Sequence, residues 1–292
     1  MKVAFLGLGA IGAPMASHLT DEPFDLTVWN RTGEKARAFA EEHGVYAEEK
    51  IADAVRDAEV VVTCLPSSRE VHSIIDSIMS GIQRGALMID CTSGDPATSR
   101  KIASNLAGKN VGFVDAPVSG GVKGAVAGTL TVMCGGSEND VVRARPVLEA
   151  FGKKIVRCGD VGAGDAVKAM NQALLAIHIW SAGEALAALA KLGVTAEVAL
   201  DVINGSSGRS NSSENLFPER VIGRKYPRTF KIALLDKDVG IAAGIIDETE
   251  TPAPFIDLAA KLFADAHKQL GEEADHVEAV RVIEEKAGVR IS

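Results

Sequence analysis

Short apolar runs rich in β-branched residues alternate with helix-length stretches through the first half of the chain. The runs are Val3–Leu6, Leu26–Trp29, Val60–Cys64, Leu87–Asp90, Val111–Asp115 and Leu130–Cys134, and each reads as a strand. Stretches such as Glu34–Glu42 and Ala97–Ala107 read as the helices between them. Strand, helix, strand at this spacing predicts a mostly parallel sheet covered by helices on both faces. The link from Asp115 to Leu130 is too glycine-rich to predict a helix.

After Gly164 the β signal stops. Gly164–Leu192 reads as one uninterrupted helix, with Gly162 before it and Gly193 after it. A helix of that length is ~43 Å long. Helical periodicity returns at Ala196–Ile203, Ala233–Ile246, Phe255–Leu270 and Val277–Glu285, while the serine-rich Gly205–Asn215 reads as a loop. The expected organisation is an α/β domain over 1–163 and an all-α domain over 164–292, joined by a long helix at 164–192.

Composition narrows the function classes. The 292 residues are 47% hydrophobic and carry a formal net charge of −8, which suits a folded globular protein. A negative chain lacks the basic face that nucleic acid or an anionic membrane demands. The four cysteines, Cys64, Cys91, Cys134 and Cys158, lie far apart and suggest reduced thiols in a cytoplasmic protein. Val3–Leu6 runs straight into a glycine turn, as a strand does and a secretion signal does not. In the apolar stretch Ala173–Ala190, His178, Ser181 and Glu184 intervene, so a buried helix is expected there and not a membrane span. The histidines show no metal-ligand spacing, and no metal site is expected.

Four motifs carry candidate chemistry. The first is Gly7-Leu8-Gly9-Ala10-Ile11-Gly12, set between a strand and a helix. Gly7 would permit the tight turn, Gly9 the approach of a pyrophosphate, and Gly12 close contact of helix and strand. The helix N-terminus would offer N–H groups to phosphates, which makes this domain Rossmann-type. The second strand ends in Asn30-Arg31-Thr32. With no carboxylate there for a ribose hydroxyl and with an arginine to pair a 2′-phosphate, NADP is expected ahead of NAD. The third motif, Ser119-Gly120-Gly121, presents a hydroxyl and backbone amides suited to a carboxylate, the alternative being a plain glycine turn. In the fourth, Lys168, Asn171 and Gln172 share one face at the start of the long apolar helix. Burial and the positive helix end would both disfavour the lysine's charge and poise it to protonate a carbonyl oxygen. The alternative is a lysine that snorkels to the surface. By itself Asp236-Lys237-Asp238 is a solvated charge run.

Together and in this order, the motifs resemble the β-hydroxyacid dehydrogenase family over essentially the whole chain, 3-hydroxyisobutyrate dehydrogenases most of all. The resemblance implies that Gly7–Met15 is the cofactor loop and that Cys64-Leu65-Pro66 passes the cofactor. It implies that Ser93 lies on the nicotinamide ribose side, and that Ser119, Gly120 and Gly121 take the substrate carboxylate. It further implies that Lys168 is the catalytic lysine, Asn171 a substrate contact, and Lys237 and Asp238 the pair that closes over the nicotinamide. Three departures stand out. Gly94 replaces an isoleucine and is expected to loosen its loop, Gln172 stands where many members have asparagine, and Gly205–Asn211 does not follow the family pattern.

The resulting expectation is an NADP-dependent dehydrogenase of a small 3-hydroxy acid or its semialdehyde, forming homodimers or homotetramers as the family does. The rivals are a glyoxylate, succinic semialdehyde or tartronate semialdehyde reductase, a decarboxylating 6-phosphogluconate-type enzyme, and a non-catalytic dinucleotide-binding module. The chain is short for the second rival, and Lys168 argues against the third.

Overall fold

A computed structural model describes residues 1–291. Two compact units emerge, Met1–Lys168 and the remainder from Ala169. The first holds a nine-stranded sheet, counted among the described residues. Its strands are β1 (Lys2–Leu6), β2 (Asp25–Trp29), β3 (Tyr46–Ala47), β4 (Val60–Thr63), β5 (Leu87–Asp90), β6 (Gly112–Asp115), β7 (Val118–Ser119), β8 (Leu130–Gly135) and β9 (Gly152–Gly159).

The order β3-β2-β1-β4-β5-β6 is parallel throughout and reverses direction between β1 and β4. Beyond β6, β8 joins antiparallel, β7 pairs antiparallel with β8, and β9 runs parallel to β8. Every residue of β4 and β5 is buried, which explains their unbroken apolar sequences: helices cover both faces of a parallel sheet. In such sheets ligands bind beyond the strand C-termini where the order reverses. Here that point is flanked by the turn after β1 and the loop after β4.

One sequence expectation is corrected in this unit, and one strand was missed. The link between Asp115 and Leu130 contains a helix, Gly121–Val126, as well as β7. Gly120 and Gly121, at φ +137° and +61°, make the turn, and Gly124 then packs under Leu130. Strand β9 escaped the hydrophobic pattern because it is largely exposed.

The long helix spans Ala163–Lys191. Its start is fixed by a side chain from the sheet. Asp115, at the end of β6, accepts hydrogen bonds from the Gly162 N–H (2.7 Å) and the Asp165 N–H (3.0 Å). It thus does the work of an N-cap from a remote strand. Gly164 lets the helix approach this closely, since a Cβ there would lie 2.2 Å from the Met133 carbonyl oxygen.

In the second unit this helix contributes Ala176, Ile179, Trp180, Leu186 and Ala187 to a core shared with Phe217, Ile232, Leu235 and Phe263. The helix is long and apolar enough to cross a bilayer, but those residues give it the role of a core helix. The other helices are Ala196–Asn204, Ser212–Ile222, Ile232–Glu248, Pro254–Leu270 and Ala279–Ala287, with a short turn at His276–Glu278. Ser212–Ile222 is wound wider than an α-helix and corrects the expectation of a loop through Asn215. Serines start it: the Ser213 N–H donates to Ser210 Oγ (3.1 Å) and the Ser210 N–H to Ser213 Oγ (2.9 Å).

Candidate active site

The three glycines of the first turn do different work. Gly7 sits at φ +112°, and a Cβ there would lie 2.3 Å from the Cys64 carbonyl oxygen. At Gly12 a Cβ would lie 2.0 Å from the Gly7 carbonyl oxygen and 3.4 Å from Cys64 Cβ, so this glycine lets the helix start pack on the residues that follow β1 and β4. Nothing lies within 4 Å of a Cβ built on Gly9, which is exposed. The chain's own packing therefore explains Gly7 and Gly12 but leaves the space over Gly9 open, as a phosphate group needs.

Asn30 braces this turn. Its Oδ1 accepts from the Leu8 N–H (3.0 Å), and its Nδ2 donates to the Thr32 carbonyl (3.0 Å). Arg31 and Thr32 are exposed. Arg31 makes no ion pair among the described residues.

The loops after β4 and β5 are stitched together. Asp90 accepts from Thr63 Oγ1 (2.8 Å) and from the Thr92 N–H (3.0 Å), and Thr92 Oγ1 accepts from the Leu65 N–H (3.0 Å). Cys64-Leu65-Pro66 and Ser93 thus sit on one hydrogen-bonded frame. Burial, with Asp90 adding, pushes the Cys64 thiol up to about 12, so it stays protonated near neutral pH.

The Ser93 loop is also tied to the long helix. Asp165 accepts from the Gly94 N–H (3.0 Å) and from Ser99 Oγ (2.6 Å). Gly94 is buried and does not loosen the loop as expected, because a Cβ there would lie 2.7 Å from Ser68 Oγ. Burial lifts the Asp115 carboxyl to about 6 despite its amide donors. Burial, then the neighbouring Asp115, raises Asp165 well above the ordinary carboxylate range.

Ser119 is half-buried at the end of β7, and Gly120 and Gly121 are exposed just beyond it. Lys168, the last residue of the first unit, is 8% exposed, so it does not snorkel outward. One turn on, in the second unit, Asn171 Nδ2 donates to Gln172 Oε1 (3.2 Å), and Gln172 Nε2 donates to Asp238 Oδ2 (2.9 Å). Asp238 is buried and paired with Lys237 at 3.1 Å. Asn171, Gln172, Lys237 and Asp238 therefore form one cluster, and the charge run at 236–238 is only partly solvated.

Sequence reasoning gave no role to Thr63, Asp90, Thr92, Asp115 or Asp165. Asp90 and Asp115 had a signal: each is a carboxylate closing an apolar strand. Asp165 had none, since its partners lie 66 and 71 residues away.

Comparison with known proteins agrees with this geometry. Residues 2–159 match the NAD binding domain of 6-phosphogluconate dehydrogenase, and 162–283 match the NAD-binding region of NADP-dependent 3-hydroxyisobutyrate dehydrogenase. The chain is 34% identical to 2-(hydroxymethyl)glutarate dehydrogenase of Eubacterium barkeri, covering 100% of this chain and 98% of that one. It is 35% identical to 3-hydroxyisobutyrate dehydrogenase of Pseudomonas aeruginosa, covering 93% of each. The solved 3-hydroxyisobutyrate dehydrogenase of Mycobacterium tuberculosis with L-serine superposes with a TM-score of 0.89 at 32% identity, over 97% of this chain and 98% of that one. The glycine turn at the sheet's reversal point and the match along both units lead to one conclusion: this chain belongs to the β-hydroxyacid dehydrogenase family and is an NAD(P)-dependent dehydrogenase acting on CH–OH.

Proposed function

We propose that this enzyme interconverts a 3-hydroxy acid bearing a primary alcohol with its semialdehyde, prefers NADP, and uses Lys168 as its acid and base. The observation that carries this reading is the burial of Lys168, 8% exposed on a helix whose first turn is anchored by Asp115. A lysine fixed out of solvent is suited to hold or receive a proton at a substrate oxygen.

The open space over Gly9, between two glycines closed by their own surroundings, fits a dinucleotide's phosphates. Gly7, Leu8, Gly9, Ala10, Ile11 and Gly12 would hold them, with Cys64, Leu65, Pro66 and Ser93 alongside and Lys237 and Asp238 toward the nicotinamide. Asn30 supports the turn, leaving Arg31 as the group for a 2′-phosphate. When bound, the nicotinamide takes the hydride in oxidation and supplies it in reduction. Ser119 and the amides of Gly120 and Gly121 would bind the substrate carboxylate. Gln172, bonded to Asp238, would orient Asn171 toward the substrate.

The relatives' substrates support one chemical frame. 3-Hydroxyisobutyrate and 2-(hydroxymethyl)glutarate both have a primary alcohol one carbon from a carboxylate-bearing carbon, and differ in the branch on that carbon. L-Serine, named with a third relative, has the same frame with an ammonium branch. The four cysteines, all free, support a cytoplasmic enzyme. Exposed Leu174, Val198 and Val202 support a homodimer or homotetramer.

The test is absorbance at the NADPH band, with 3-hydroxyisobutyrate, L-serine, 2-(hydroxymethyl)glutarate, glyoxylate, succinic semialdehyde and tartronate semialdehyde against both cofactors. The expected result is highest kcat/KM for one of the three branched hydroxy acids. Its methyl ester should be worse by roughly 30- to 1,000-fold, because charged hydrogen bonds are lost and donors stranded. Preference for glyoxylate, or equal turnover of acid and ester, would overturn the substrate frame.

A further inference from the structure

Asp165 is an acidic residue in an apolar helix start, 1% exposed, with both carboxyl oxygens bonded to the loop after β5 and the helix Pro96–Ala107 that follows it. Oδ1 accepts from the Gly94 N–H at 3.0 Å and Oδ2 from Ser99 Oγ at 2.6 Å. Its own N–H is held by Asp115 Oδ2 at 3.0 Å. Two neighbouring features fit the same contact. A side chain at 94 would sit 3.3 Å from both Asp165 oxygens, so the glycine makes room for the carboxyl. The loop is pinned from its other side as well, where the Asp95 N–H donates to Ser68 Oγ (2.7 Å) and the Thr92 N–H to Asp90 (3.0 Å). Ser93 lies between these anchors.

Lys168 follows Asp165 by three residues, so the two share a helix face one turn apart. From this arrangement we infer that Asp165 is a positioning residue for the reaction: its carboxyl locks the helical turn bearing Lys168 to the Ser93–Gly94 backbone, and so holds the proton donor in register with the cofactor loop. The inference rests on the proposed roles of Lys168 and Ser93. An amide has the size and planar shape of this carboxyl and can meet the same two partners. In Asp165→Asn the side-chain oxygen still accepts from Gly94, and Nδ2 donates to the Ser99 hydroxyl. Asp165→Ala leaves the Gly94 N–H and the Ser99 hydroxyl without their buried partner.

Steady-state kinetics of Asp165→Ala, Asp165→Asn, Ser99→Ala and Lys168→Ala, with folding checked by circular dichroism and melting, test this directly. Misplacement of a catalytic group by ~1 Å costs about 10²-fold in rate, so Asp165→Ala should lower kcat by about 10- to 100-fold with the substrate KM within about threefold. Asp165→Asn should restore kcat to within about threefold of wild type, and Ser99→Ala should cost about 3- to 10-fold, since one of two ties remains. A purely structural role would lower the melting temperature without changing kcat of the folded enzyme. A folded Asp165→Ala with wild-type kcat, or Asp165→Asn no better than Asp165→Ala, overturns the inference. Should Asp165→Ala not fold, Ser99→Ala decides, and wild-type kcat there overturns it. Full activity in Lys168→Ala would instead defeat the reading of the lysine, a result separable from any of these.

Discussion

Single residues divide into those whose role is local and those whose role comes from elsewhere in the chain. The conformational demand on Gly7 was legible in the sequence because a tight turn after a strand imposes it. Lys168 was legible as an oddity, a charge within an apolar helix. Asn30 was legible only as a missing acid, whereas its side chain in fact joins the Leu8 amide to the Thr32 carbonyl. Asp115 was legible only as a carboxylate closing an apolar strand, its capping of a helix 47 residues away leaving no further trace, and Asp165 was not legible at all. The clearest prediction at this scale concerns Arg31, exposed and without an ion pair among the described residues. A charge-assisted contact to a 2′-phosphate contributes about 1.5–3 kcal/mol, so Arg31→Ala should narrow the NADP-over-NAD ratio of kcat/KM tenfold or more. Unchanged ratios, or better use of NAD by the wild type, would remove Arg31 from the cofactor site.

Elements were legible in proportion to how fully they are buried. Strands β4 and β5, buried at every residue, announced themselves as Val-Val-Val-Thr and Leu-Met-Ile-Asp. The long helix was bounded by its glycines to within one residue at each end. By contrast β3 has only two residues, β9 lies mostly exposed, and the helix Gly121–Val126 hides in a glycine-rich run. The wide helix Ser212–Ile222 begins among serines that pair with one another, a composition that otherwise marks loops. The glycine turn makes a paired prediction at this scale. Gly9→Ala meets open space, so its melting temperature should match wild type while NADP binding weakens at least about tenfold, the methyl group standing where the phosphates approach. Gly7→Ala, at φ +112° and 2.3 Å from the Cys64 carbonyl oxygen, should lower the melting temperature as well. Calorimetry with and without NADP reads both, and a Gly9→Ala variant that binds NADP normally would contradict the assigned turn.

At the scale of the molecule, one helix belongs to both compact units, starting in Met1–Lys168 and continuing beyond Ala169. Its first turn hangs on Asp115, and Asp165 ties it to the loop after β5. Its next turn carries Lys168, and the one after that joins Gln172 to Asp238. Overall fold class followed from the change of period at Gly164, from strands alternating with helices to helices alone. The network that anchors this helix could not be read the same way, since it consists of contacts between distant residues. The central claim is that Lys168 moves the proton while the remainder of the machinery binds and orients. Lys168→Ala, assayed at the NADPH band on the best wild-type substrate and titrated with NADP, tests it most directly. The account predicts kcat lower by about 10²–10⁴-fold with cofactor affinity nearly unchanged. A variant keeping more than about a tenth of wild-type kcat would contradict it, because general acid–base catalysis by a positioned side chain is worth at least about a hundredfold.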